Sequence, residues 1–401
     1  MKKSCIWMIL LLGSVVFSTA SAFNSLYVFG DGVCTTTNNS PGPYTNSYYG
    51  NRNCNGRTWV EVLAQRQGIG ISNNWSYFGQ FSGPMVTNVN NFKAPADANK
   101  DLFVVWAADA DFVGFMSYSF TTNVWNPLIS KSLTNHFNII TNLYAKGVRT
   151  LILPNAVDVG KIPEYNQDAS IKSFVRGRTI YFNTNLIATV NRAKAICPGL
   201  IVYVPDIFSL LDNVITNAAY YGLTNATLAG QPIDATTYYG TSKDGTFIAT
   251  TNNGLGTNFI FWDYMNITAQ MQEVLADTVQ QKISPVQVGG LTQINGSNRL
   301  DLVNVPVGLN GFLEGCTNLA AASWSTVTNF NSTATAQSIF VVTPPLPANF
   351  GASGSGGSGG SGGPPMPGSG SGSTTVTDTN SYVNSAAQFY RLRFPYAWNW
   401  P

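Results

Sequence analysis

Leu26-Tyr27-Val28-Phe29-Gly30-Asp31-Gly32 decides how this chain reads. Four apolar residues of strand character run into a Gly-Asp-Gly turn. A strand that opens a domain and breaks there places Asp31 and Gly32 at the carboxyl edge of a sheet. In open α/β proteins that edge carries the ligand. Working outward, residues 102–106 form a fully apolar run, as a central parallel strand should. Residues 150–153 and 200–204 read the same way, with shorter strands at 75–79 and 259–263. Helical spacing covers residues 58–65, about 127–146, 170–196 and 268–283. This alternation predicts an α/β domain over residues 23–283, a parallel sheet with helices on both faces.

The flanks differ in character. Residues 1–22 read as a signal peptide: Lys2 and Lys3, an apolar run over 6–17, and the small-residue site Ala20-Ser21-Ala22. The run is short of the ~20 residues that span a bilayer, so the mature protein is expected to be exported and free of integral membrane segments. Residues 220–256 are polar and read as an insertion. Beyond residue 283, short segments at 300–305, 325–330, 338–342 and 388–394 are rich in Val, Thr and aromatics. They predict a small β-sandwich-like domain over 284–401, interrupted by a flexible Gly/Ser/Pro tether at 351–373. Phe389-Tyr390-Arg391 is similar to the end of small sandwich modules at the C-termini of secreted bacterial proteins, and an accessory role is expected.

Charged residues make up only 10% of the chain and the formal net charge is +2 with no basic run, which argues against a nucleic-acid partner. After export four cysteines remain. Cys34 and Cys54 flank one polar loop and are expected to form a disulfide in an oxidising compartment, with two free buried thiols as the alternative. Cys197 and Cys316 cannot be paired from sequence.

Phe29-Gly30-Asp31, with the order of strands behind it, resembles the first block of the GDSL or SGNH ester hydrolases over about residues 25–275. The resemblance implies a flavodoxin-like three-layer α/β/α fold and ester hydrolysis without a cofactor. It also implies positions for the catalytic groups: the nucleophilic serine at Gly32, an oxyanion-hole glycine at Gly79, the oxyanion asparagine at Ala110, and the Asp and His of the triad at Asp263 and Asn266. Leu153-Pro154-Asn155 looks like the family's strand-four loop. Three of the five catalytic positions are substituted. Gly32 has no hydroxyl, Asn266 cannot titrate and Ala110 offers no donor. The paired losses at Ala110 and Asn266 argue against an isolated change at Gly32. The only histidine, His136, falls mid-helix at the border of an apolar stripe, about 15 Å from the active edge at ~1.5 Å per residue, and reads as a half-buried structural residue.

Four carboxylates, Asp31, Asp109, Asp111 and Asp263, are expected near that edge. Such a group can share protons, bind a hard cation or act as an acid/base pair; capping of turns and helices is the plainer role, and no metal is expected. Trp75, Tyr77, Trp106, Trp262 and Tyr264 either line the same cleft or belong to the core. The expected function is a secreted, catalytically degenerate binding or structural module for a polysaccharide or acylated polymer. The alternative is an active hydrolase of ester bonds or glycans working through the carboxylates.

Overall fold

The computed structural model describes residues 23–36, 51–165, 168–223, 227–228, 231–235, 258–294, 297–316, 323–342 and 389–395. The expected signal segment, most of the 220–256 insertion and the 351–373 tether lie outside them. Five parallel strands form the main sheet: β1 (Ser25–Gly30), β2 (Gly70–Asn74), β3 (Leu102–Trp106), β4 (Thr150–Ile152) and β5 (Ile201–Tyr203), in the order β2-β1-β3-β4-β5. That is the flavodoxin-like order, and the strand order reverses between β1 and β3. Leu26 pairs with Leu102 and Gly30 with Trp106, so both central strands end at one level. Whatever follows Gly30 and Trp106 therefore meets at the switch point.

The apolar strands bury completely: every residue of β3 is buried, as are Leu26, Val28 and Phe29 of β1. On one face α1 (Trp59–Arg66) packs against α7 (Ala269–Ile283), and the Trp59 N–H donates to Gln272 Oε1 at 2.9 Å. α1 starts in a capping box, where Thr58 N donates to Glu61 Oε2 at 2.9 Å. On the other face α2 (Ser82–Asn91), α4 (Thr122–Ala145) and α5 (Ala169–Ile196) pack side by side. α3 (Ala108–Phe115) follows β3, and α6 (Ile207–Thr216) follows β5. Two two-residue strands, β6 (Thr227–Leu228) and β7 (Gln231–Pro232), make a small hairpin.

The structure departs from the sequence reading in four places. The second strand is Gly70–Asn74, not 75–79; it is a polar edge strand, and Trp75 just beyond it stacks on Phe29 at 4.6 Å. Residues 259–263 form only isolated bridges, Phe261 with Asp234 and with Ile267. Their aromatics are buried, but the chain bends at Asp263. α4 begins at Thr122 and carries Pro127 in its second turn. A proline disturbs only the turn before it, and buried Trp125 and Ile129 continue the apolar stripe across it. Helices α2 and α3 have no counterpart in the sequence reading.

After α7 the chain builds two three-stranded antiparallel sheets. β8 (Gln287–Ile294), β9 (Ser297–Val303) and β12 (Ala336–Val342) form one, in the order β12-β9-β8. β10 (Asn310–Cys316), β11 (Ser325–Asn331) and β13 (Phe389–Arg393) form the other, in the order β11-β10-β13. Leu300, Leu302, Leu313, Ile339, Val341, Leu392 and Phe394 fill a separate core. Glu314 of β10 grips the returning strand through Arg391 at 2.7 Å and Arg393 at 2.6 Å. No helix among the described residues is long and apolar enough to cross a membrane.

Candidate active site

At the switch point lies a cavity of about 140 Å³. Gly32, Gly79, Ala110 and Asn266 all line it, so four of the five positions implied by the family pattern converge. Asp263 stands directly behind Asn266. Its Oδ1 accepts from the Asn266 N–H at 2.7 Å and from Asn266 Nδ2 at 3.0 Å, and Oδ2 accepts from Nδ2 at 3.0 Å. Asp263 Oδ1 also takes the Met265 N–H at 2.9 Å. The Asp-to-His contact of a triad is thus kept in outline, with an amide in place of the imidazole. Thr268 caps α7, accepting from the Met271 N–H at 3.1 Å. Gly79 sits at φ +76°, a conformation that favours glycine, with open space where a Cβ would stand.

Gly32 is closed to a side chain. A Cβ there would lie 2.9 Å from Phe78 Cδ2 and 3.0 Å from Asn53 Nδ2. Asn53 is itself committed, donating to Gly32 O and to Thr35 Oγ1 at 3.3 Å each. The Gly32→Ser variant is therefore expected to lose about 1–3 kcal/mol of stability by overpacking and to gain no esterase activity. Urea unfolding and a p-nitrophenyl ester assay check both. Neither Phe78 nor Asn53 carries a motif or periodicity that marks it in the sequence.

The four carboxylates separate into two groups. Asp31 and Asp109 line the cavity. Asp31 Oδ1 accepts from the Val33 N–H at 3.2 Å and holds the turn after β1. Asp109 Oδ1 accepts from the Val157 N–H at 2.9 Å and ties α3 to the loop after β4. Burial carries the Asp31 carboxyl up to about 7, against the pull of the Val33 N–H and its own N–H and with a further push from the Asp111 charge. Burial also raises the Asp109 carboxyl well above the usual range, and the Asp31 charge adds to it; the Val157 N–H and the Trp106 indole pull the other way. Asp111 and Asp263 point elsewhere. Asp111 Oδ1 accepts from the Ser82 N–H at 2.9 Å and its Oδ2 accepts from Ser132 Oγ at 2.5 Å.

His136 is not half-buried as expected: it is fully enclosed, 1% exposed. Its Nδ1 donates to Ser132 O at 2.8 Å, and its ring packs edge-on against Phe182. Burial lowers its pKa, opposed by the Asp111 charge. Asp111, Ser132 and His136 thus join α3 to α4 inside the core, away from the cavity.

The expected Cys34–Cys54 disulfide is absent: both are buried free thiols, as are Cys197 and Cys316. Cys34 is packed onto the strand end, so that a Cβ on Gly30 would lie 2.5 Å from its Sγ. The Cys54 thiol donates to Gly56 O at 3.1 Å, and burial pushes it up to about 12. A disulfide reagent should leave all four unmodified in the native protein and titrate four thiols in denaturant; two thiols in denaturant would contradict this arrangement.

Of the aromatics proposed for the cleft, Trp106 lines the cavity and Trp75 lies against Tyr27 and Phe29. Apart from Gln272, the remaining side chains of the lining are apolar: Phe81, Val113, Ile207, Leu211, Met271 and Leu275 among others. Among the described residues no group of three or more His, Cys, Asp or Glu side chains could hold a metal ion.

No curated protein sequence matches the chain. Solved structures to which the chain is similar include the lipase Lip_vut3 from a goat rumen metagenome, at 9% identity over 65% of this chain and 97% of that one, TM-score 0.39. Others are a lipase/acylhydrolase from Enterococcus faecalis, 11% identical over 64% and 93%, TM-score 0.35, and a GDSL-like lipase from Bacteroides thetaiotaomicron, 10% identical over 65% and 87%, TM-score 0.32. The family profile described as GDSL-like Lipase/Acylhydrolase matches residues 26–279, which span all five strands of the sheet. The chain belongs to the GDSL-like lipase/acylhydrolase family.

Proposed function

We propose that this protein is an exported binding module that holds an acyl group, such as one carried by an acylated polymer, at the family's catalytic position without cleaving it. One observation carries the reading. The nucleophile position is Gly32, and the space for a side chain there is taken by Phe78 and Asn53. The titrating base is replaced by Asn266, whose amide is bound to Asp263. Losing nucleophile and base together removes the acyl-transfer mechanism and leaves binding.

The lining favours a hydrocarbon chain over a sugar ring. Four polar side chains reach the cavity, Asp31, Asp109, Asn266 and Gln272, against a wall of aliphatic and aromatic groups. A buried sugar would leave most of its hydroxyls without partners, at a cost for each. Export is supported by residues 1–22. The polymer portion of the ligand would lie outside the cavity. The test is an assay with p-nitrophenyl esters of short acids: binding is expected, release of p-nitrophenolate above the buffer rate is not.

A second reading draws on Asp31 and Asp109. A carboxyl near 7 beside another carboxyl is suited to general acid/base work. Under that reading the protein hydrolyses its ligand and the Asp31→Asn variant loses turnover.

A further inference from the structure

The cavity's polar end includes two carboxyl groups, and no described residue lining it is a cation. Asp31 is 8% exposed, and its Oδ1 is hydrogen-bonded to the Val33 N–H. Asp109 likewise commits Oδ1, to the Val157 N–H. Each keeps a second oxygen with acceptor capacity to spare, and both residues wall the same cavity. Trp106, 2% exposed, also lines it. Its indole N–H is near enough to the Asp109 carboxyl to offset part of its rise, but closes no hydrogen bond. Buried polar atoms are rarely left unpaired without a reason. Here three underused polar groups stand around one apolar cavity.

Among the described residues no Lys, Arg or His lines the cavity. From β1 and its turn the titratable neighbour is Cys34, whose thiol burial keeps neutral. α3 contributes Asp111, held by Ser82 and Ser132. The segment before α7 contributes Asp263, held by Asn266. In the segment after β4 and in α5, Lys161 and Arg176 are paired with Asp212 and Asp158, and neither lines the cavity. Among the described residues that line the cavity, the only ionisable side chains are therefore the two acids.

From this geometry we infer that the cavity selects an uncharged acyl derivative, an ester or amide, and rejects the free carboxylate of the same chain. The inference rests on the acyl-binding reading above and names its ligand class. A protonated carboxyl group of the pair donates to the acyl carbonyl, and an unprotonated oxygen of the pair accepts from an amide N–H. A carboxylate ligand would add a further negative charge to a low-dielectric site that already contains two acids, and repulsion between like charges disfavours it. The chain length follows from the volume. A cavity of about 140 Å³ is close to one that holds a benzene ring, so an acyl group of about six carbons fits.

The test is calorimetric titration of the full chain with hexanamide and with hexanoate, at about pH 5.5 and about pH 8.5. Hexanamide should bind at both, with affinity falling at the higher pH as the pair loses its proton. Hexanoate should bind at least roughly tenfold more weakly than hexanamide at about pH 8.5. The Asp109→Asn variant, which keeps the acceptor for Val157, should bind hexanoate more tightly than the wild type does. Equal affinity for the two ligands in the wild type would overturn the inference and leave the acyl-binding reading standing. Binding of neither ligand would overturn that reading itself. Because the ligand comparison is made on the wild type, a poorly folded variant does not remove the test.

Discussion

An Asp31→Asn variant should be more stable than the wild type by about 2–4 kcal/mol at about pH 8 and equal to it below about pH 4. The ordinary Asp value is 3.8, and burial carries the Asp31 carboxyl up to about 7. The folded protein therefore holds a proton on Asp31 that the unfolded chain releases. That preference favours the folded state fully below 3.8 and is lost as pH rises through about 7. Above that range the folded state must carry a buried charge that has no cation beside it. The asparagine side chain of the variant keeps the acceptor for the Val33 N–H and removes the charge. Urea unfolding across pH measures the difference between the two proteins, which isolates Asp31 from other titrating groups such as His136 and Asp277. A difference that stays flat with pH would contradict the burial of a protonated acid. A residue that lowers stability at neutral pH, set in the cavity of a family site, fits a functional rather than a structural demand.

Arg66→Met should cost about 3–5 kcal/mol and loosen the C-terminal sandwich. Arg66 is 3% exposed at the end of α1, with its Nε 2.8 Å from Asp277 Oδ1 of α7. Its Nη1 donates to Val307 O at 3.2 Å, and its own carbonyl accepts from the Val307 N–H at 3.1 Å. One residue thus ties α1 to α7 and both to the loop between β9 and β10. Asp277 is fully buried, and its Oδ2 has no partner. Burial raises its carboxyl to about 6 even with Arg66 beside it. Removing the guanidinium strands that acid and orphans Val307 O. The double variant Arg66→Met, Asp277→Leu should recover most of the loss, because it leaves no uncompensated charge. Urea unfolding gives the stabilities, and limited proteolysis between residues 284 and 310 reads the docking. A single variant within about 1 kcal/mol of wild type, below the usual cost of breaking a buried pair, would contradict the assignment.

The sheet was legible because its central strands are written in one register of residue type. Leu102–Trp106 is apolar throughout, and 26–29 ends in a turn that only a sheet edge explains. The edge strand was not legible. Gly70–Asn74 is polar and half exposed, while the aromatics after it imitate a strand and instead pack onto Phe29 from the loop. α2 was hidden by its Gly, Pro and Asn content; Pro84 is tolerated there because it falls in the first turn. The absence of α3 from the sequence reading had a direct consequence for the site. On a helix, residues two apart point roughly 200° from one another. Asp109 therefore faces the cavity while Asp111 faces Ser82 and Ser132. Sequence could gather four carboxylates at one edge but could not sort them without α3. The disulfide expectation failed for a similar reason. Compartment and loop spacing favoured it, but the contact between Gly30 and Cys34 decides where that thiol points.

The most direct test of the account is single-turnover mixing of excess full-length protein with p-nitrophenyl hexanoate, following ligand binding and p-nitrophenolate release in the same sample. The account predicts saturable binding, displaced by hexanamide, with release no faster than in buffer. Release above the buffer rate that the Asp31→Asn variant abolishes would contradict it and make the cavity at Gly32 a working active site.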